Sequence, residues 1–370
     1  MANTRGAITD VFRQADIEID GTRPWDIQVH DERLYGRLLS SGSLGMGEAY
    51  MEKWWDAERV DLLIERMLRS YGNRRVTLPV ILLAIKSWIF NLQSRSGASK
   101  VIDEHYDLDN DLYASFLDPY MQYSCGYFQD TDDLAVAQEQ KLDMICRKLQ
   151  LKSSDRLLDI GCGWGGLAKY AAQKYGCSVV GITISDEQIA YAREFVKGLP
   201  VDIRRLDYRD LKDEQFDKIV SVGMLEHVGY KNYRKFMQVV HAALKDDGLF
   251  LLHTIGSNTT TYAGEAWSNK YIFPHGMLPS VKQLGAAAEK YFVLEDWHNF
   301  GPDYHKTLRA WDENFQKAWS MLSDRYSETF YRMFRYYFNS FAGSFKARHI
   351  QLWQIVYSKG SDDSAYKTAR

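Results

Sequence analysis

Short apolar runs and amphipathic stretches alternate through the second half of the chain, and this alternation sets the architecture. Strands are expected at Arg156–Ile160, Ser178–Thr183, Val201–Arg205, Phe216–Val222 and 248–254. Helical periodicity fills 167–174, the stretch to Lys197, and 230–244. Strand–helix repetition of this kind predicts a parallel, doubly wound sheet, whose ligands bind at the carboxyl ends of the strands. Two later runs, 292–299 and 351–357, read as further strands. Between them lies a helical insertion rich in Tyr and Phe, whose composition suits a binding tunnel and a plain core equally. Upstream, 133–149 is an amphipathic helix with Leu134, Leu142, Ile145 and Leu149 on one side.

The first 70 residues are less regular. Ile17-Glu-Ile-Asp-Gly21 and Ile27-Gln-Val29 alternate like edge strands, and 42–55 reads as a glycine-rich turn feeding a helix. From Arg66 to Ile102 there is no acidic residue, while Arg66, Arg69, Arg74, Arg75, Lys86, Arg95 and Lys100 fall inside it. The apolar run 78–90 around Lys86 is too short to span a bilayer, but it could lie on an anionic membrane surface. At about 1 kcal/mol per basic residue, half of them facing lipid would give roughly 3 kcal/mol, enough for reversible docking. A buried helix with a solvated basic rim fits the same pattern. Residues 93–99 read as a linker. The resulting division is an accessory domain over 1–93, a linker over 94–102 and a catalytic domain over 103–370.

With 370 residues there is material for two domains or one with large additions. Net charge −3 gives no global reason to expect a nucleic-acid partner. Cys125, Cys146, Cys162 and Cys177 show neither metal-ligand spacing nor a disulfide framework, which points to a reducing compartment. The first residues lead into no apolar leader, so no signal peptide is expected.

The candidate chemistry starts where the Arg156–Ile160 strand runs into Gly161-Cys-Gly-Trp-Gly-Gly166. Gly161, Gly163 and Gly166 satisfy the dinucleotide pattern G-x-G-x-x-G, but two features oppose a nicotinamide cofactor. Asp159 precedes the loop, where it can reach a ligand amine. The next strand ends in Thr183 rather than the acid expected on a ribose. Asp159, Gly161, Gly163 and Gly165 instead resemble the S-adenosylmethionine loop of class I methyltransferases. Thr183 and Gln188 could hold the adenosine; Ser185 and Gln188 could equally form a capping box. Asp207 and Tyr208 suit an adenine amine and ring face, or make an ordinary loop. Glu226, His227 and His253 stand at the ends of the fourth and fifth strands, placed for acid–base work in one crevice.

Taken with 122–125, 158–166, 223–229, 252–256, 269–274 and 295–301, these motifs resemble the bacterial cyclopropane-fatty-acyl-phospholipid synthase family over nearly the whole chain. The resemblance implies a class I S-adenosylmethionine-dependent methyltransferase: an α/β, Rossmann-like doubly wound sheet with a small N-terminal accessory domain. It implies transfer of a methylene from S-adenosylmethionine across a cis double bond of phospholipid acyl chains. Attack by the alkene leaves a carbocation, which aromatic faces stabilise by roughly 0.5–2 kcal/mol each and which water must not reach. A bound bicarbonate is the implied base, held by Glu226, His253, Tyr304 and the backbones of Cys125 and Ile255, with Tyr123 and Ser124 joining the cofactor pocket. A cytoplasmic location, peripheral at the inner membrane surface, and a homodimer are expected, with the accessory domain serving either dimerisation or membrane docking. One departure stands out: where family members often carry a Cys, this chain has Phe341, so no thiol acts there. Methylation of another acceptor, or cofactor sensing without turnover at a membrane, remain as other readings.

Overall fold

The computed structural model describes residues 2–72, 110–360 and 366–370. The linker over 94–102, the apolar run 78–90 and most of the basic stretch lie outside the described residues. The chain forms two compact units. One comprises residues 1–112, 264–275 and 308–349; the other comprises 113–263, 276–307 and 350–370. This grouping cuts the chain differently from the boundaries read at 93 and 103, because two segments from the second half join the N-terminal unit.

The first unit is mostly helical, with helices Ala2–Gln14, Arg33–Met51, Val60–Gly72, Ala266–Tyr271 and Glu328–Lys346 and the later turns of Gly301–Leu322. Strands β1 (Gln28–Val29) and β2 (Trp55–Asp56) form a small antiparallel pair. Residues 42–51 are helical rather than a turn: the glycines belong to Arg33–Met51, which is kinked at Gly42 (φ 52°). One of those glycines lets the Trp267 ring close on the helix, since a Cβ at Gly47 would sit 2.3 Å from it. The aromatic insertion is core here. Phe315, Phe330, Phe334 and Phe338 are buried, and Phe315 contacts both Phe334 and Phe338 at about 5.5–6 Å.

The second unit is built on a seven-stranded sheet in the order β5-β4-β3-β6-β7-β9-β8. Its strands are β3 (Arg156–Ile160), β4 (Ser178–Thr183), β5 (Val201–Arg205), β6 (Phe216–Val222), β7 (Leu244–Ser257), β8 (Val293–Asn299) and β9 (Ile350–Ser358). Strands β3 to β7 pair in parallel; β9 runs antiparallel to β7 and β8. Apolar runs such as Leu157, Leu158 and Ile160 are buried on both faces of β3, as a strand covered by helices on both sides requires. The order reverses between β3 and β6, so the switch point, with its crevice, falls at the glycine loop.

Asp296 in β8 anchors a buried charge cluster. It accepts two hydrogen bonds from Arg370, at 2.6 and 2.7 Å, and pairs with the fully buried Lys148 at 3.2 Å. Burial lowers Lys148 to about 8, against the pull of Asp296. Asp296→Ala therefore strands a buried ammonium and is expected to cost about 3–5 kcal/mol in urea unfolding. A Lys148→Met change added to it should recover much of that loss.

Candidate active site

The loop after β3 turns on glycine. Gly161 holds φ 80°, and a Cβ there would meet the Met224 side chain at 2.9 Å. A cavity of about 580 Å³ opens at this point. Asp159, Gly161 and Gly163 line it from β3 and its loop, and Thr183 and Gln188 from β4 and the helix that follows. Asp207 and Tyr208 face it from beyond β5, and Tyr123 and Ser124 from the 121–124 segment. Gly165 does not line the cavity. It is the left-handed residue that starts the Gly166–Tyr175 helix, against Ala192.

Ser185 caps the Asp186–Phe195 helix by accepting from the Gln188 amide. The reciprocal half of a capping box does not form, because the Gln188 side chain takes a 3.0 Å hydrogen bond from the Thr183 hydroxyl at the cavity wall. Asp207 is held by Arg209, which donates from its backbone and its guanidinium and keeps the carboxyl below its ordinary range. Asp159 is buried, and its Oδ2 has no hydrogen-bond partner. Burial pushes this carboxyl up to about 7, against the pull of Lys141.

His253 lies on β7 in register with Val222 of β6, so the neighbouring strand ends do meet. Glu226 and His227 then part company. His227 lines this cavity, whereas Glu226 does not; it turns inward, where its Oε1 accepts from the Ile255 amide at 2.7 Å. The Ile255 N–H, expected to face a small anion, is thus committed to Glu226. The other Glu226 oxygen, Oε2, is buried without a partner. Burial raises this carboxyl to about 7, opposed mainly by the Ile255 hydrogen bond.

The Gln354 amide approaches His253 Nδ1 at 3.3 Å. With that nitrogen accepting, the proton sits on Nε2, which is buried and unpartnered. Burial drives the imidazole well below its ordinary range, so it is neutral. Tyr304, buried in the first turns of the Gly301–Leu322 helix, has its hydroxyl pushed well up by burial and by Cys125, Glu226 and Tyr123 around it. The Cys125 thiol is likewise raised, and donates to the Gly126 carbonyl at 3.1 Å. A protonated thiol buried in this way is a poor nucleophile.

The segment carrying Tyr123, Ser124 and Cys125 is fixed from two sides. Thr307 accepts from the Gly126 amide at 3.0 Å and Asp303 from the Phe128 amide at 2.9 Å, flanking Tyr304 on its own helix. Opposite, Gln138 of the Leu134–Lys148 helix donates to the Ser124 carbonyl at 2.7 Å, and Lys141 donates to Gln122 and Ser124. None of Thr307, Asp303, Gln138 and Lys141 was flagged by a motif. Trp164, which also lines the cavity, carried a signal as the one aromatic inside the glycine loop.

A switch-point glycine loop on a Rossmann-like sheet, with an orphan acid at the strand end, defines a class I S-adenosylmethionine-dependent methyltransferase. The family model for mycolic acid cyclopropane synthetase matches residues 93–355, and the chain belongs to that family. A cyclopropane-fatty-acyl-phospholipid synthase of Escherichia coli is 52% identical over 96% of this chain and 93% of its own length. The cyclopropane synthase MmaA2 from Mycobacterium tuberculosis superposes with a TM-score of 0.65 at 30% identity, over 73% of this chain and 100% of that one. Mycolic acid cyclopropane synthase CmaA1, solved with SAH and CTAB, gives 0.64 at 32% identity, over 71% and 98%. The chain is thus an S-adenosylmethionine-dependent enzyme of cyclopropane formation.

Proposed function

We propose that this enzyme converts cis-unsaturated acyl chains of phospholipids into cyclopropane chains, with bicarbonate as the base. The observation that carries this reading is the pair of buried, unpartnered atoms Glu226 Oε2 and His253 Nε2, with Tyr304 beside Glu226. Methyl transfer onto an alkene leaves a cation that must lose a proton, and a small base held at this site is placed to take it. The high identity to the E. coli phospholipid enzyme supports the lipid substrate.

The donor set suits a small anion. Glu226 titrates near neutrality and can donate a hydrogen bond when protonated; neutral His253 donates from Nε2; the Tyr304 hydroxyl stays protonated. Lys141 and Lys148 add positive potential at His253. At the cofactor end, Asp159 receives an ammonium group, Thr183, Gln188, Asp207 and Tyr208 surround the adenosine, and Tyr123 and Ser124 close the cavity. When bound, S-adenosylmethionine supplies an electrophilic methyl group and bicarbonate a base small enough to reach it. The chain's own residues orient both and keep water out, which an alkene reaction through a cation demands.

Among the described residues, no helix is long and apolar enough to cross a membrane. Reversible docking through the basic stretch, at the inner membrane surface, would give access to acyl chains. Incubation with S-adenosylmethionine and vesicles of cis-unsaturated phospholipid should yield acyl chains one methylene heavier and resistant to hydrogenation conditions that saturate alkenes. Cofactor that binds but is not consumed would refute the assignment. A heavier acyl chain that still carries a double bond would indicate a methyl-transferring relative instead.

A further inference from the structure

Lys141 is fully buried, yet it does not itself line the cavity. Its ammonium donates to the side chains of Gln122 and Ser124, both of which line the cofactor cavity. One turn earlier on the same helix face, Gln138 holds the Ser124 carbonyl. An apolar residue of similar volume would fill this space without the cost of desolvating a charge. Across from it, Asp159 Oδ2 is buried without a partner.

We propose that Lys141 is a positioning residue for the cofactor: it fixes Gln122 and Ser124 in the cavity wall and its charge keeps Asp159 a carboxylate able to receive the cofactor's ammonium group. This rests on the placement of S-adenosylmethionine in the cavity. The surroundings single Lys141 out. The strand neighbours of Asp159 are Gly181 and Val220, which bring no charge. The Cys146 and Cys162 thiols near it are raised by burial and stay neutral, and His227 on the cavity wall is held neutral by burial. Among the described residues, Lys141 is the cation that acts on Asp159. Lys141 itself faces Asp118, Cys125, Asp159 and His253. Asp118 is already engaged by the Tyr120 and Gln122 amides, and Cys125 and His253 are neutral.

The sign follows from linkage. Protonated Asp159 cannot pair with an ammonium, so affinity falls as pH drops through its titration near 7. Removing the Lys141 charge leaves burial unopposed and moves that fall to higher pH. The test is the dissociation constant of S-adenosylhomocysteine, measured calorimetrically from about pH 6 to 8 on the full chain. Each variant is compared with wild type at every pH, so that ionisation of the ligand cancels. Lys141→Met should shift the acid fall upward by about one pH unit, weakening binding about fivefold at pH 7. Lys141→Gln, which keeps a hydrogen-bond donor but no charge, should give the same shift and serves if the Met variant does not fold. Burial lowers Lys141 itself to about 8, so the comparison is read on the acid limb: in an Asp159→Asn background the acid fall should be absent, and neither change should restore or move it. Variant curves that run parallel to wild type would overturn the role of the charge. A wild type that does not bind the ligand, or an Asp159→Asn variant that keeps the acid fall, would instead overturn the cofactor placement.

Discussion

Glu226→Gln is expected to lower ring formation by about 10²- to 10⁴-fold, the usual range for losing a group essential to proton transfer. The amide can still accept from the Ile255 N–H, so the backbone of β7 keeps its partner. What it cannot do is exchange a proton, nor present a donor and an acceptor interchangeably at the buried Oε2 position. The same change should stabilise the fold at alkaline pH. Wild-type Glu226 titrates at about 7 in the folded chain against 4.5 when unperturbed. The folded state therefore binds the proton more tightly. Stability declines as pH rises through that window, by up to about 3 kcal/mol from this group. The glutamine variant lacks that decline. Urea unfolding at pH 5 and pH 8 should show the gap between variant and wild type opening at the higher pH, alongside the lost turnover. Near-normal turnover would remove Glu226 from the chemistry.

Gly166→Ala should be the most damaging of the loop changes. A Cβ at this position would lie 1.9 Å from the Tyr120 carbonyl oxygen and 2.3 Å from the Gln122 amide nitrogen. The first is backbone and cannot swing away. Either the Gly166–Tyr175 helix or the 120–125 segment must shift, and the second carries Tyr123, Ser124 and Cys125. We expect a loss of about 3 kcal/mol or more in folding stability and weakened binding of S-adenosylhomocysteine. Gly163→Ala is the control: its Cβ would meet nothing within 4 Å, but φ is 54°, so only backbone strain of about 1–2 kcal/mol is expected. Calorimetric unfolding and ligand titration on both variants would separate overlap from strain.

These two glycines also mark what could be read from sequence. Strand periodicity located β3 to β6 to the residue. Strands β3 and β4 are buried, nearly continuous apolar runs bounded by turn residues, whereas β5 at the sheet edge alternates Val201 and Ile203 with charged residues. The loop's glycines were legible, but their separate duties were not. Gly161 opens the cavity, Gly165 starts a helix, and Gly166 admits a distant carbonyl that only the fold brings near. Glu226 and His227 looked like one acid–base pair, yet a short 3₁₀ turn sends them to different places. Lys141 was invisible for a different reason. A lysine within an amphipathic helix ordinarily marks the solvated face, and its burial depends on Gln122 and Ser124, some 17–19 residues away. The grouping of 264–275 and 308–349 with the N-terminal unit depends on contacts hundreds of residues apart, which no local pattern encodes.

The central claim is that the Glu226, His253 and Tyr304 cluster holds a base that takes a proton from the transferred carbon. It is tested most directly by supplying S-adenosylmethionine with a deuterated methyl group to the enzyme and cis-unsaturated phospholipid vesicles, with bicarbonate removed and then restored. The account predicts a product that has lost one deuterium from the transferred group, formed slowly without bicarbonate and rapidly once it returns. A product that keeps the whole label, or a rate indifferent to bicarbonate, would contradict it.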